Sequence, residues 1–127
     1  MRKDIIKTAA APEPIGPYSQ AVEFEGTLYC SGQIPVDPVT GNIPETAEAQ
    51  THLALSNLRA VLEEAGAELE DVVKTTIFLT DMKIFASVNA IYGEYFDEAT
   101  APARSTVEVS GLPRGVLIEI DAIARLD

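Results

Sequence analysis

The 127-residue chain has no tryptophan, one cysteine, one histidine and two methionines. The single cysteine, Cys30, excludes an intramolecular disulfide framework and fits a reducing compartment. A lone histidine, His52, without a nearby Cys, Asp or second His at ligand spacing, is a poor nucleus for a metal site and is read as structural or surface-exposed. Basic residues are also scarce. Nine Lys and Arg stand against twenty Asp and Glu, giving a formal charge of −11. That field repels nucleic-acid phosphates and anionic membranes at long range, and no basic stripe offsets it. No apolar run approaches the ~20 residues a membrane span needs. The opening Met-Arg-Lys-Asp-Ile-Ile-Lys lacks the apolar core of a secretory signal. A cytoplasmic protein without membrane or nucleic-acid partners is expected. No repeat, low-complexity tract or linker divides residues 1–127, so one domain is expected.

What the chain does have is punctuation and alternation. Asp4 to Thr8 reads as a short strand. Pro12, Pro14, Gly16 and Pro17 then forbid a helix or central strand over Ala9 to Pro17. An ordered loop therefore delivers Tyr18, Ser19 and Gln20, with Tyr18 either a packed aromatic or a pocket wall. Ala21 to Phe24 and Thr27 to Gln33 read as strands joined by a tight turn at Glu25-Gly26. The second ends in Cys30-Ser31-Gly32-Gln33. A glycine there marks a bulge or a close approach, or simply eases the exit into Ile34-Pro35. Cys30 beside it reads as a small buried hydrophobe. Pro35 to Pro44 is turn material.

Thr46 to Ala65 carries Ala54, Leu58, Val61 and Leu62 at helical spacing, with Gly66 placed for a left-handed cap. Val72 to Leu79 is a strand with Lys74 and Thr76 on one face and Thr75, Ile77 and Leu79 on the other. Asp81 can cap a second helix over Lys83 to Phe96. Its stripe of Phe85, Val88, Tyr92, Tyr95 and Phe96 reads as core, while Asn89 points into a site or faces water.

Two last strands follow. In Val116 to Arg125 one face is apolar throughout, and the other mixes Leu117, Glu119, Asp121, Ile123 and Arg125. Between Thr100 and Val109, Ala103, Ser105 and Val107 form a small and apolar set, whereas Arg104, Thr106 and Glu108 are polar. The apolar sets are expected to face helices, and the charged sets to share the opposite face. The order β-β-β-α-β-α-β-β then gives an α+β domain, a mixed sheet with two helices on one side. The charged face is too apolar for free solvent and is expected to pack against another copy. Arg104 is a solvated or salt-bridged strand arginine, or a fork of donors gripping a carboxylate or phosphate. Glu119 is a structural ion-pair partner or a working carboxylate.

Several strings together resemble one family. They are Ile15-Gly-Pro-Tyr-Ser-Gln, Ser31-Gly-Gln-Ile-Pro-Val-Asp, Asp71-Val-Val-Lys-Thr-Thr-Ile-Phe-Leu-Thr-Asp-Met, Phe85-Ala-Ser-Val-Asn, Pro102-Ala-Arg-Ser-Thr-Val and Ile118-Glu-Ile. In that order and spacing they are similar to the Rid family, also called YjgF or L-PSP, and within it to RidA-type reactive-intermediate deaminases. The resemblance implies a chorismate-mutase-like fold with a six-stranded sheet. It places the last strand between the third and fourth, where sequence proximity predicts a hairpin with the fifth. It also implies a homotrimer, its sheets forming a central barrel with sites in clefts between subunits.

The implied activity is cofactor-free hydrolysis of enamine and imine acids such as 2-aminoacrylate, 2-iminopropanoate and 2-iminobutanoate. Carried onto this chain, Arg104 clamps the substrate carboxylate and Glu119 positions or activates water. Tyr18, Ser31 and the Gly32 backbone wall the site, and Phe85 and Asn89 line or support it. Thr106 stands where many members have cysteine, at a position expected to act through its main chain. Two other classes stay open: a ribonuclease or translation inhibitor, which the acidic charge disfavours, and a non-catalytic acid-binding or chaperone-like trimer.

Overall fold

Glu25 and Gly26 reverse the chain with both residues at positive φ, 51° and 81°. A two-residue hairpin needs this left-handed pair to match the twist of its strands. The computed structural model describes residues 2–126. Its strands are β1 (Asp4–Ile6), β2 (Ala21–Phe24), β3 (Thr27–Gln33), β4 (Val72–Leu79), β5 (Ala103–Glu108) and β6 (Ile118–Arg125). The helices are α1 (Ala47–Glu64) and α2 (Phe85–Tyr95). One mixed sheet runs β1-β2-β3-β6-β4-β5. β6 therefore lies between β3 and β4, antiparallel to both, and β5 is an edge strand parallel to β4. The β5–β6 hairpin that proximity favours does not form, as the family resemblance implied.

The helices form where caps and spacing dictate. Thr46 accepts the Ala49 N–H at 3.1 Å to open α1. Gly66, at φ 84°, closes it, with Gly66 N–H on Glu63 O at 3.0 Å and Ala67 N–H on Leu62 O at 2.9 Å. The second helix starts later than the sequence predicts. Asp81 Oδ1 accepts the Lys83 N–H at 2.9 Å, but what it caps is one 3₁₀ turn, Met82–Ile84, and α2 begins at Phe85.

The core lies between the helices and one sheet face. Leu28, Leu55, Leu58, Leu62, Ile77, Leu79, Ile118 and Ile120 are fully buried there. Each such side chain contributes ~1.5–3 kcal/mol from water exclusion. Three buried amides lash loops to this core. Asn57 Nδ2 donates to the carbonyls of Ile34 and Val36, both at 3.0 Å. Gln50 donates to Pro44 O at 2.9 Å and accepts the Leu117 N–H at 2.8 Å. Gln20 accepts the Thr8 N–H at 2.7 Å and donates to Pro12 O at 2.9 Å, which fixes the proline-rich loop. Among the described residues no helix is long and apolar enough to cross a membrane.

One face assignment is corrected. Arg104 and Thr106 pair with Thr75 and Ile77, so they share the helix side of the sheet. Ala103, Ser105 and Val107 lie on the open side, where Lys74 Nζ donates to Ser105 Oγ at 2.9 Å. Alternation within β5 is right, but its polarity is inverted relative to β6. At a sheet edge the helix side is only partly covered, so a guanidinium can face α2 and still reach the rim. The open side carries Glu119, Asp121, Lys74 and Thr76 with apolar Ile5, Tyr29 and Val107, the last three 56%, 47% and 40% exposed.

Candidate active site

Between β3 and β6 the pairing slips: Cys30 faces Ala122 and Gln33 faces Ile120. Ser31 and Gly32 therefore oppose Asp121 alone, as in a β-bulge. The bulge turns the glycine toward Glu119. A Cβ built on Gly32 falls 2.7 Å from Glu119 Cδ and 2.9 Å from Cγ, so only glycine leaves the carboxylate its place. Ser31 pins the bulge to the preceding loop. Its hydroxyl donates to Ser19 O at 2.6 Å and its N–H to Gln20 O at 2.9 Å. That loop carries Tyr18, whose N–H bonds Gly16 O at 2.9 Å, with Gly16 at φ 118°.

Tyr18, Ser31, Gly32 and Glu119 thus wall one cavity of about 560 Å³. Ile15, Ile34, Pro113 and Arg114 complete it. Burial, and next the charge of Asp121, raise the pKa of Glu119 above the usual carboxylate range. Asp121 is itself raised by burial, against the opposing Thr76 N–H and Lys74. Cys30 nearby is pushed up to about 12, chiefly by burial, and stays a protonated thiol.

Arg104 lies elsewhere. Its guanidinium carbon sits 4.8 Å from the Tyr92 ring centroid and 5.6 Å from that of Phe85. Cation–π contacts of this kind contribute about 0.5–2 kcal/mol and restrain the guanidinium. Tyr92 is itself fixed by a 2.8 Å hydrogen bond between its hydroxyl and that of buried Thr75. Among the described residues neither Arg104 nor Glu119 forms an ion pair, and the Arg104 guanidinium makes no hydrogen bond. Neither side chain is therefore tied up by an ion pair within its own chain. Thr106 follows two residues on along the same face of β5, and Asn89 is exposed one turn on from Phe85.

Arg104 and Glu119 do not meet within one chain. Their strands flank β4, and they pair with Thr75 and Phe78 respectively, on opposite faces. Strand spacing and rise put their Cα atoms roughly 14 Å apart. Of the residues singled out from sequence, the chain thus forms two groups: Tyr18, Ser31, Gly32 and Glu119, and Arg104 with Phe85. Two residues escaped notice. Tyr92 was legible only as core stripe, and Arg114 sits in the Leu-Pro-Arg-Gly part of the Ser110 to Gly115 turn before β6, where the sequence marks a turn but no site. Among the described residues no group of three or more His, Cys, Asp or Glu is placed to hold a metal ion.

Comparison with known proteins agrees with this architecture. Residues 8–126 match the family described as Endoribonuclease L-PSP. A RutC family protein of Synechocystis is 58% identical, over 99% of this chain and 98% of its own. The 2-iminobutanoate/2-iminopropanoate deaminase of Salmonella typhimurium is 51% identical, over 94% of each chain. The crystal structure of E. coli TdcF with bound serine superposes with a TM-score of 0.93 at 44% identity, covering 98% of this chain and 99% of that one. With a six-stranded mixed sheet, two helices and full-length relatives of this kind, the chain belongs to the Rid (YjgF/L-PSP) family.

Proposed function

We propose that the chain hydrolyses reactive 2-imino acids and their enamine tautomers to 2-oxo acids and ammonia, in clefts between subunits of a homotrimer. The observation that carries this reading is Arg104: a guanidinium laid on Tyr92 and Phe85, with no hydrogen-bond partner among the described residues. Its parallel donors suit a carboxylate. The split of Arg104 from Glu119 supports an intersubunit cleft, since a neighbour can supply what one chain keeps apart. The apolar groups on the open sheet face support its being covered by another copy.

In the cleft Arg104 orients the substrate by its carboxylate, an effect worth several kcal/mol. Glu119 takes a proton from water as its oxygen adds to the imine carbon and passes that proton to the imine nitrogen. The carbinolamine then collapses: Glu119 moves the hydroxyl proton to the nitrogen, the C–N bond breaks, ammonia leaves and the 2-oxo acid remains. General-base help of this kind typically adds ~10²–10⁴-fold. Tyr18, Ser31 and the Gly32 backbone wall the imine end, while Asn89 and the Thr106 main chain line the carboxylate side. Water is the one co-reactant. The relative from Salmonella typhimurium named for this activity lends the reading weight. The ribonuclease of the family's description would need phosphate contacts that a charge of −11 disfavours.

The test is loss of freshly generated 2-iminopropanoate or 2-iminobutanoate in a coupled assay. Wild type should accelerate it, and Arg104→Lys should lower kcat/KM by about 10–100-fold, because a point ammonium replaces a charged two-bond grip. Arg104→Ala with wild-type rates would remove the clamp, and a stable monomer in sedimentation would remove the intersubunit cleft.

A further inference from the structure

Arg114 shares the cavity that Glu119, Ser31, Gly32 and Tyr18 wall, and no part of the proposed reaction uses it. Its backbone is left-handed, φ 59° and ψ 18°, a conformation a non-glycine side chain rarely adopts. Two hydrogen bonds hold that turn, Gly115 N–H to Leu112 O at 3.1 Å and Val116 N–H to Pro113 O at 3.4 Å. Among the described residues the Arg114 side chain makes no hydrogen bond or ion pair. The same arginine also borders an adjoining cavity of about 190 Å³, which shares Ile15, Tyr18, Gly32 and Ile34 with the first. Glu119, the apolar Ile15, Ile34 and Pro113, and exposed Arg114 thus line one cavity, and the Arg114 side chain has no partner among the described residues.

Of the acidic groups lining the two cavities, Glu119 has no ion-pair partner among the described residues, and the other two have contacts of their own. Asp37 accepts the Val39 and Thr40 N–H groups at 2.8 and 3.1 Å, and Glu13 lies 4.0 Å from Lys7. Apolar Ile15, Ile34 and Pro113 extend the first cavity's lining beyond Glu119 and Ser31. We propose that Arg114 forms a side-chain subsite for 2-imino acids that end in a second carboxylate. The aliphatic part of such a substrate lies on Ile15, Ile34 and Pro113, and its terminal carboxylate meets the Arg114 fork. In a chain whose overall field repels dianions, such a substrate is captured by a local cation. The inference rests on the deaminase reading for turnover, and on the cavity alone for binding.

The experiment compares 2-iminoglutarate with its isostere in which two methyl groups replace the terminal carboxylate oxygens. The readout is the ratio of their kcat/KM values, which cancels any general loss of activity or folded fraction. Arg114→Met should lower the ratio about tenfold, the scale of one charged hydrogen-bonded contact at a rim, and Arg114→Lys should restore part of it. Binding of the corresponding 2-oxo acids, followed by calorimetry, should change in the same sense. A ratio that stays within twofold in Arg114→Met, with binding preference also unchanged, overturns the subsite. Failure of the deaminase reading looks different: wild type then turns over neither imine, while the binding preference still decides for or against Arg114.

Discussion

Gly32→Ala adds one methyl group where β3 meets Glu119. Gly32 does not use the left-handed region, so its backbone accepts alanine. Restricting the unfolded chain would by itself stabilise the protein by about 0.4–1 kcal/mol. Against that stands the overlap. The new Cβ falls 2.7 Å from Glu119 Cδ and 2.9 Å from Cγ, where carbon atoms prefer about 3.5–4.0 Å. Because Cγ lies close to the strand, a small swing of the carboxylate does not clear it, and the side chain must leave its rotamer. Overpacking of this kind costs about 1–3 kcal/mol. The net loss is about 1–2 kcal/mol, or roughly 4–8 °C in Tm for a chain of this length. The decisive comparison is a double-mutant cycle with Glu119→Ala, which removes both carbons. In that background Gly32→Ala should be neutral or slightly stabilising, a coupling of about 1–3 kcal/mol. Catalysis should follow: Gly32→Ala alone should lower kcat by about 10²–10⁴-fold, and add nothing once Glu119 is alanine. Thermal unfolding at fixed protein concentration and the coupled imine assay read the two arms. The reasoning is refuted if Gly32→Ala costs the same stability with and without the Glu119 side chain.

Tyr92→Phe keeps the ring beneath Arg104 but leaves the buried Thr75 hydroxyl without its 2.8 Å partner. It should lower stability by about 1–3 kcal/mol in denaturant melts while kcat/KM stays near wild type, whereas Tyr92→Leu should lower kcat/KM as well. To act as the proposed base Glu119 must be ionised, and its pKa is raised by burial and then by Asp121. Activity should therefore fall as pH drops through that raised value, and Asp121→Asn should move this acid limb of the kcat/KM profile to lower pH. The linkage to stability has the opposite sense. A carboxyl with a raised folded pKa favours the fold at low pH, and that contribution is lost as pH rises through the folded value. An acid limb that ignores Asp121→Asn would detach Asp121 from Glu119.

Local chemistry was legible wherever short-range rules decide the outcome. Glu25-Gly26, Gly66 and Asp81 signalled their turns and caps through φ preference and hydrogen bonding, which the neighbouring residues suffice to set. Gly32 signalled a bulge or a close approach by a ligand or another backbone; the bulge is present, and what comes close is the Glu119 side chain. What alternation could not fix was which way β5 faces. Period two separates Arg104 from Ser105 but carries no absolute sense, and an edge strand pays no core penalty for showing a guanidinium to a helix. The pairing of β6 between β3 and β4 was equally invisible to periodicity, since it joins residues far apart in sequence. It was read only through the family resemblance. Arg114 left no trace because a lone cation in a Pro-Arg-Gly turn looks like solvent-facing loop until the turn is placed against Glu119.

The position of Arg104 on β5 bears on why the chemistry is divided. A carboxylate approaching a chain of charge −11 meets net repulsion until short-range contacts take over. Those contacts must then be strong and well oriented, which favours a guanidinium already restrained. Tyr92 and Phe85 provide that support without spending any of the donors, as an ion pair would. A carboxylate such as Glu119 beside the same guanidinium would have neutralised it and competed with the substrate. Placing Glu119 across the sheet, roughly 14 Å away, leaves the arginine free to bind an acid. The same separation keeps the Arg104 of its own chain from lowering the pKa of Glu119, which burial and then Asp121 raise. Within one chain the fold holds the two side chains apart, and in the proposed homotrimer a second chain would bring complementary copies within reach of one substrate.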